Sequence, residues 1–273
     1  MLDAFDVPFM QRALVAGLVL AVPLGLVGTW VVLRALAFFS HAVGVGTFPG
    51  VVVGLGVPAI GPFVGAAAAA GILTAAVVGL ERDERIQGGA VTGLALSTAM
   101  ALGAVLLTTA FGSSTPVEAV LFGSLLAITD ADVLRCVVVA LAAILVVGLG
   151  ARRMQSVTFD RHWSRPAGAR PGLADLALLV LVAATVVVAL PVVGSLLVSG
   201  LLILPAATAR VLTADVFTML PVAVVLCGTA IVVGLAVARE LDAPPGSVIC
   251  ATAGLAFAVT VLADRLRKRR GSP

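Results

Sequence analysis

The sequence predicts an all-α fold: a polytopic bundle of transmembrane helices forming a single domain over residues 1–273. Three observations carry this expectation. Only 11% of the 273 residues are charged and 61% are hydrophobic, with a mean hydropathy of +1.20, whereas a soluble domain needs roughly 25% charged residues to cover its surface. Apolar runs of about 20 residues recur from end to end, each long enough to cross roughly 30 Å of hydrocarbon. These runs do not alternate polar and apolar residues, as the strands of a membrane barrel do.

The runs fall at 10–33, 36–56, 61–80, 90–111, 131–150, 174–191, 193–206, 217–239 and 246–264. The first ends at Arg34. Glycines and Pro49 interrupt the second from within. Arg82 and Arg85 punctuate the gap after the third, and the fourth leads to residues 115–130, which have room for a half-helix that dips in and returns. Arg152 and Arg153 close the 131–150 run. The 193–206 run is short and is stopped by Pro205 just before Arg210, and the last two are separated by Glu240-Leu241-Asp242-Ala243-Pro244-Pro245-Gly246, a turn by its chemistry. Eight to ten crossings are expected, with nine favoured.

Basic residues stay on the cytoplasmic side of a membrane. With nine crossings, Arg34, Arg82, Arg85, Arg210, the segment Arg152 to Arg170 and the tail Arg265, Arg267, Lys268, Arg269 and Arg270 share one side. Asp3, Asp6, Glu118, Asp130, Asp132, Glu240 and Asp242 share the other with Arg12, Arg135 and Arg239. The expected orientation is N-terminus outside and C-terminus cytoplasmic.

Several function classes are disfavoured. The net charge of +3 reflects loop arginines of a membrane protein, so no nucleic-acid partner is expected. Cys136, Cys227 and Cys250 form no CxxC pair and read as small buried hydrophobes. No basic region precedes the first apolar run, so a cleavable signal peptide is not expected. A P-loop GxxxxGK[ST] is absent, and the longest polar stretch, 151–173, is far too short for a soluble domain. An ion-coupled secondary transporter commonly carries intramembrane carboxylates, and these runs are nearly free of them. An intramembrane hydrolase using Ser199 and His41 has no GxSxG or HExxH signature behind it.

Two stretches offer chemistry. In Phe38-Phe39-Ser40-His41-Ala42-Val43-Gly44-Val45-Gly46-Thr47-Phe48-Pro49-Gly50, Gly44, Gly46, Pro49 and Gly50 weaken a mid-membrane helix, and broken helices commonly line a substrate cavity. His41 can ligate a transition metal or relay a proton; equally, it can be a hydrogen-bonded structural histidine among glycines that serve close helix packing. In the second stretch, Val193 to Arg210, small residues including Gly194, Ser195, Ser199 and Gly200 allow close approach, either as packing or as pathway lining. The basic 151–173 loop holds Phe159, Asp160, Arg161, Arg165 and Gly168. It reads as a solvated cytoplasmic face with room for a short helix lying along the membrane.

In their order these stretches resemble the membrane subunits of ABC importers for manganese, zinc and iron and, more remotely, the vitamin B12 and siderophore permeases. The residues that carry the likeness are Gly28-Thr29 through Arg34, Phe38 to Val43, Pro49-Gly50, Leu121 to Ala127, Phe159-Asp160 with Gly168, Leu197-Val198-Ser199 through Arg210, and Pro245-Gly246. The resemblance implies a homodimer in the bacterial cell membrane with the path at its centre. It also implies two cytoplasmic ATPase subunits holding ATP and magnesium, and an extracytoplasmic metal-binding protein that delivers a divalent ion. This chain itself would bind no cofactor and do no covalent chemistry. Residues 151–173, including Phe159, Asp160, Arg161, Arg165 and Gly168, are the implied ATPase contact, with Arg210 and its neighbours 206–218 as a second. The implied pathway residues are His41, as the metal contact, with Gly44, Val45, Gly46, Pro49, Gly50, Ser195 and Ser199.

One departure bears on the cargo. The family pattern has an aspartate, a histidine four residues later and then Pro-Gly, which puts both ligands on one helix face. Aligned on Pro49-Gly50, His41 takes the aspartate position and Val45 the histidine position; aligned on Ser40 to Val43, Ala37 takes the aspartate position. Either register leaves a single imidazole. That suits a nitrogen-preferring cation such as zinc, a symmetric site of two His41 side chains across a dimer axis, or a metal chelate.

Overall fold

Lipid offers backbone groups no hydrogen-bond partner, so each long apolar run closes its bonds internally as a helix. The computed structural model describes residues 8–57, 59–80, 89–109, 128–159, 171–195 and 197–270. The helices are α1 (Pro8–Leu33), α2 (Ala37–Gly46), α3 (Phe48–Gly56), α4 (Gly61–Leu80), α5 (Ala90–Thr109), α6 (Asp130–Phe159), α7 (Pro171–Val193), α8 (Val198–Leu212), α9 (Val216–Glu240) and α10 (Pro245–Arg270). Among the described residues eight segments are long and apolar enough to cross a bilayer, with α2 and α3 together forming the one at Ala37–Gly56. The ninth, α8, has 15 residues. It spans about 22 Å at 1.5 Å per residue, less than a full crossing.

Two expectations change. Pro205 does not stop its run: it lies inside α8, and the interruption falls earlier, where Gly194 adopts φ +90° between α7 and α8. Proline is tolerated in a buried membrane helix because packed neighbours compensate the lost bond, whereas a positive φ takes the chain out of helical geometry. Residues 151–159 are not loop but the last turns of α6, which runs for 30 residues. Arg, Met and Gln are good helix formers, so the helix outlasts the apolar stretch that announces it. The rest of that loop, residues 160–170, and most of the expected half-helix at 115–130 lie outside the described residues.

Helix α1 is central, packing on α6, α7, α8 and α9, with Leu20, Leu24, Val27 and Trp30 fully buried. Helices gain little hydrophobic drive for association within lipid, so close approach depends on small residues. A β-carbon at Gly25 would lie 2.6 Å from the Val224 backbone, and one at Gly28 would collide with the Leu202 carbonyl. Gly50 meets Gly65, and Gly54 meets Gly61, backbone to backbone between α3 and α4. Leu94, Leu149 and Leu255 point outward, as a lipid-facing surface allows.

Ion pairs mark the two ends of the bundle. At one end Arg12 Nε lies 3.2 Å from Asp130 Oδ1, so α1 and α6 start side by side. There Arg135 pairs with Asp132 at 2.7 Å and stacks over the Phe63 ring at 4.0 Å. At the other end Arg34 Nη1 donates to Asp175 Oδ1 at 2.5 Å, and Nη2 donates to the Met154 carbonyl at 3.3 Å. Arg210 Nη1 reaches the Val32 carbonyl at 3.5 Å. Arg34 and Arg210 therefore share one end, and Arg12, Asp130, Asp132 and Arg135 the other, which is the grouping expected from their charges.

Candidate functional site

The segment carrying His41 is broken, as its composition predicts. Helix α2 ends at Gly46, and α3 starts at Phe48, after the single residue Thr47, with Pro49 in its first turn. Pro49 has no N–H to give the Val45 carbonyl, and Thr47 covers part of the gap by donating its hydroxyl to the Gly44 carbonyl at 2.6 Å. The second break, between α7 and α8, lies against the same helix. His41 Nδ1 is 2.9 Å from Ser199 Oγ. One turn further along α2, a β-carbon at Gly44 would lie 2.9 Å from the Ser195 carbonyl oxygen. Four expected pathway residues, His41, Gly44, Ser195 and Ser199, thus meet where two interrupted helices cross.

The imidazole of His41 is half-buried, while Ser195 and Ser199 are buried. Ser195 Oγ has no hydrogen-bond partner among the described residues, and an unpaired buried hydroxyl costs about 1–3 kcal/mol. With Nδ1 engaged, Nε2 is the ring nitrogen left for a ligand. Among the described residues no three His, Cys, Asp or Glu side chains come together as a metal cage. The group offers a cation one ring nitrogen.

Three of the other expected pathway residues, Gly46, Pro49 and Gly50, serve a different interface. Gly46 lies against Leu73 of α4 and Ala99 of α5, and Gly50 against Gly65. The Pro49 nitrogen faces Gly103 of α5, whose added β-carbon would lie 3.3 Å away. Val45 is buried. Gly46, Pro49 and Gly50 fix how α2 and α3 pack on α4 and α5 and do not join the His41–Ser199 group. A groove of about 630 Å3 between α4, α6 and α7, lined by Phe63, Ala70, Thr74, Leu176 and Val180 among others, contains none of the expected site residues.

Of the expected coupling residues, Arg210 lies in the last turn of α8, and Phe159 is the last residue of α6. Asp160, Arg161, Arg165 and Gly168 lie outside the described residues. At 206–218, α8 gives way to α9 at an N-cap where Asp215 Oδ2 accepts from the Thr218 N–H at 3.1 Å. Cys136, Cys227 and Cys250 are free and sit on three different helices. Sequence reasoning missed the Arg34–Asp175 pair and the role of Thr47. The only signal for the first was a lone carboxylate at the mouth of the 174–191 run.

Residues 6–264 match the ABC 3 transport family. The manganese import system permease protein ScaB of Streptococcus gordonii is 28% identical over 255 residues, covering 93% of this chain and 91% of that protein. The chelated iron transport system membrane protein YfeD of Yersinia pestis is 29% identical over 269 residues, covering 97% and 89%. Among solved structures, PsaBC from Streptococcus pneumoniae in complex with Fab has a TM-score of 0.84 at 26% identity, covering 95% of this chain and 93% of that one. A metal-chelate type ABC transporter in an inward-facing conformation shares the fold with a TM-score of 0.68 at 22% identity. The apolar spans, the paired helix breaks and a match over nearly the whole length lead to one conclusion: the chain belongs to the ABC 3 transport family and is a multi-pass membrane permease.

Proposed function

We propose that this permease imports a divalent transition metal, manganese or iron foremost, in an ATP-driven system. The observation that carries the metal reading is the 2.9 Å contact of His41 with Ser199 at two facing helix breaks, in a chain similar to permeases named for manganese and iron. Two copies form the pathway at their interface. Two cytoplasmic ATPase subunits bind ATP and magnesium, and an extracytoplasmic protein delivers the ion. Nucleotide-driven closure of the ATPases tilts the permeases and alternates access to His41. The end bearing Arg34 and Arg210 faces the cytoplasm, and Phe159, Asp160, Arg161, Arg165, Gly168 and Arg210 contact the ATPase.

The test is reconstitution of the complete complex in proteoliposomes with manganese, iron(II) or zinc offered on the delivery-protein side. ATP-dependent accumulation of one ion supports the reading, and equal accumulation without ATP contradicts it. A second reading, a metal chelate as cargo, draws on the single imidazole nitrogen. Free ions that fail to compete with uptake of a chelated metal would favour it.

A further inference from the structure

Ser199 behaves unlike four buried threonines of the bundle. Thr29, Thr74, Thr185 and Thr208 each donate to a carbonyl four residues earlier, at 2.7–2.9 Å, the usual way for a helical hydroxyl to satisfy itself. Ser199, only 5% exposed in the first turn of α8, makes no such bond. Its one partner among the described residues is His41 Nδ1. In the first turn of α8 the residue four positions earlier, Ser195, lies before the helix, so this buried hydroxyl bonds across to an imidazole on another helix and constrains that ring.

We infer that Ser199 is the positioning residue of His41: it keeps Nδ1 occupied and so fixes Nε2 as the nitrogen that meets the transported cation. This rests on the proposed function, in which His41 contacts the cargo. Metal-binding imidazoles generally have their second nitrogen held by a hydrogen bond, which sets tautomer and ring orientation. A hydroxyl can do this through the whole cycle because it both donates and accepts. Before a cation arrives, its hydrogen has no acceptor but Nδ1 among the described residues, so Ser199 donates and Nε2 carries the ring hydrogen. When Nε2 takes a cation its proton passes to water and Nδ1 takes one from water. The hydroxyl turns to accept Nδ1–H.

Nitrogen NMR of the complete complex in nanodiscs, with 15N-labelled imidazole, tests this. The chain has two histidines, and comparison with His41→Ala identifies the His41 signals. In the native protein a single metal-free species with unprotonated Nδ1 is expected, converting on zinc addition to one with Nδ1–H and metal-bound Nε2. Ser199→Ala is expected to give mixed tautomers and roughly tenfold weaker zinc binding, and Ser199→Thr to restore both. An unchanged tautomer and unchanged zinc affinity in a folded Ser199→Ala complex, while His41→Ala loses binding, would overturn the positioning role and leave the site standing. Zinc binding and uptake undisturbed in His41→Ala would overturn the proposed site, and this role with it.

Discussion

Arg34 and Asp175 lie 141 positions apart in sequence, yet their side chains join at 2.5 Å, tying the α1–α2 turn to the start of α7. Arg34 is 10% exposed and also holds the Met154 carbonyl near the end of α6. One guanidinium thus fastens three helices at one end of the bundle, seven residues before His41. Removing either side chain deletes a charge-assisted bond at a largely buried guanidinium. Arg34→Ala or Asp175→Asn is expected to lower stability by about 1.5–3 kcal/mol, read as melting temperature in detergent. The exchange Arg34→Asp with Asp175→Arg is expected to recover part of the loss; no recovery would mean that the carbonyl contact dominates.

Close packing at α1 makes a sharper contrast. Gly28 faces the Leu202 carbonyl and Gly71 faces open space. Gly28→Ala should cost about 1–3 kcal/mol through overpacking, whereas Gly71→Ala should be neutral or stabilising by up to about 1 kcal/mol. Yield and melting temperature of the two variants check the pair, and equal losses would refute the packing account of α1 and α8.

The break at Thr47 should matter to transport more than to folding. Pro49→Ala supplies an N–H for the Val45 carbonyl and lets α2 run into α3, for a net gain of about 0.5–1.5 kcal/mol. The expected result is a higher melting temperature with slower metal uptake. Full uptake by the variant would show that the break serves only the fit of Gly46 and Gly50 against α4 and α5.

At the opposite end Arg135 lies over the Phe63 ring at 4.0 Å, with its side chain 39% exposed. Phe63→Leu should cost about 0.5–1 kcal/mol beyond the change in packing. A double-mutant cycle with Arg135→Gln isolates that coupling, and a zero interaction energy would leave the contact without energetic weight.

Most of the fold is legible in the sequence because apolar length alone decides which stretches enter lipid. Lengths mislead where a helix continues without apolar residues, as α6 does through Arg152 to Phe159, or where a packed helix absorbs a proline, as α8 does at Pro205. The candidate site is partly legible. His41 and Ser199 stand out as rare polar residues among glycines in two separate runs, but their meeting across 158 positions is a tertiary fact. The division of labour inside the first run is hidden for the same reason. Gly44 faces α8 while Gly46 and Gly50 face α4 and α5, and composition cannot say which glycine serves which neighbour.

The most direct test of metal import through His41 is the manganese and iron content of cells lacking this gene, grown under chelation and restored with the native chain or with His41→Ala. The account predicts that the native chain refills one metal pool and that His41→Ala, inserted in the membrane at equal level, does not. Equal refilling by both would contradict it.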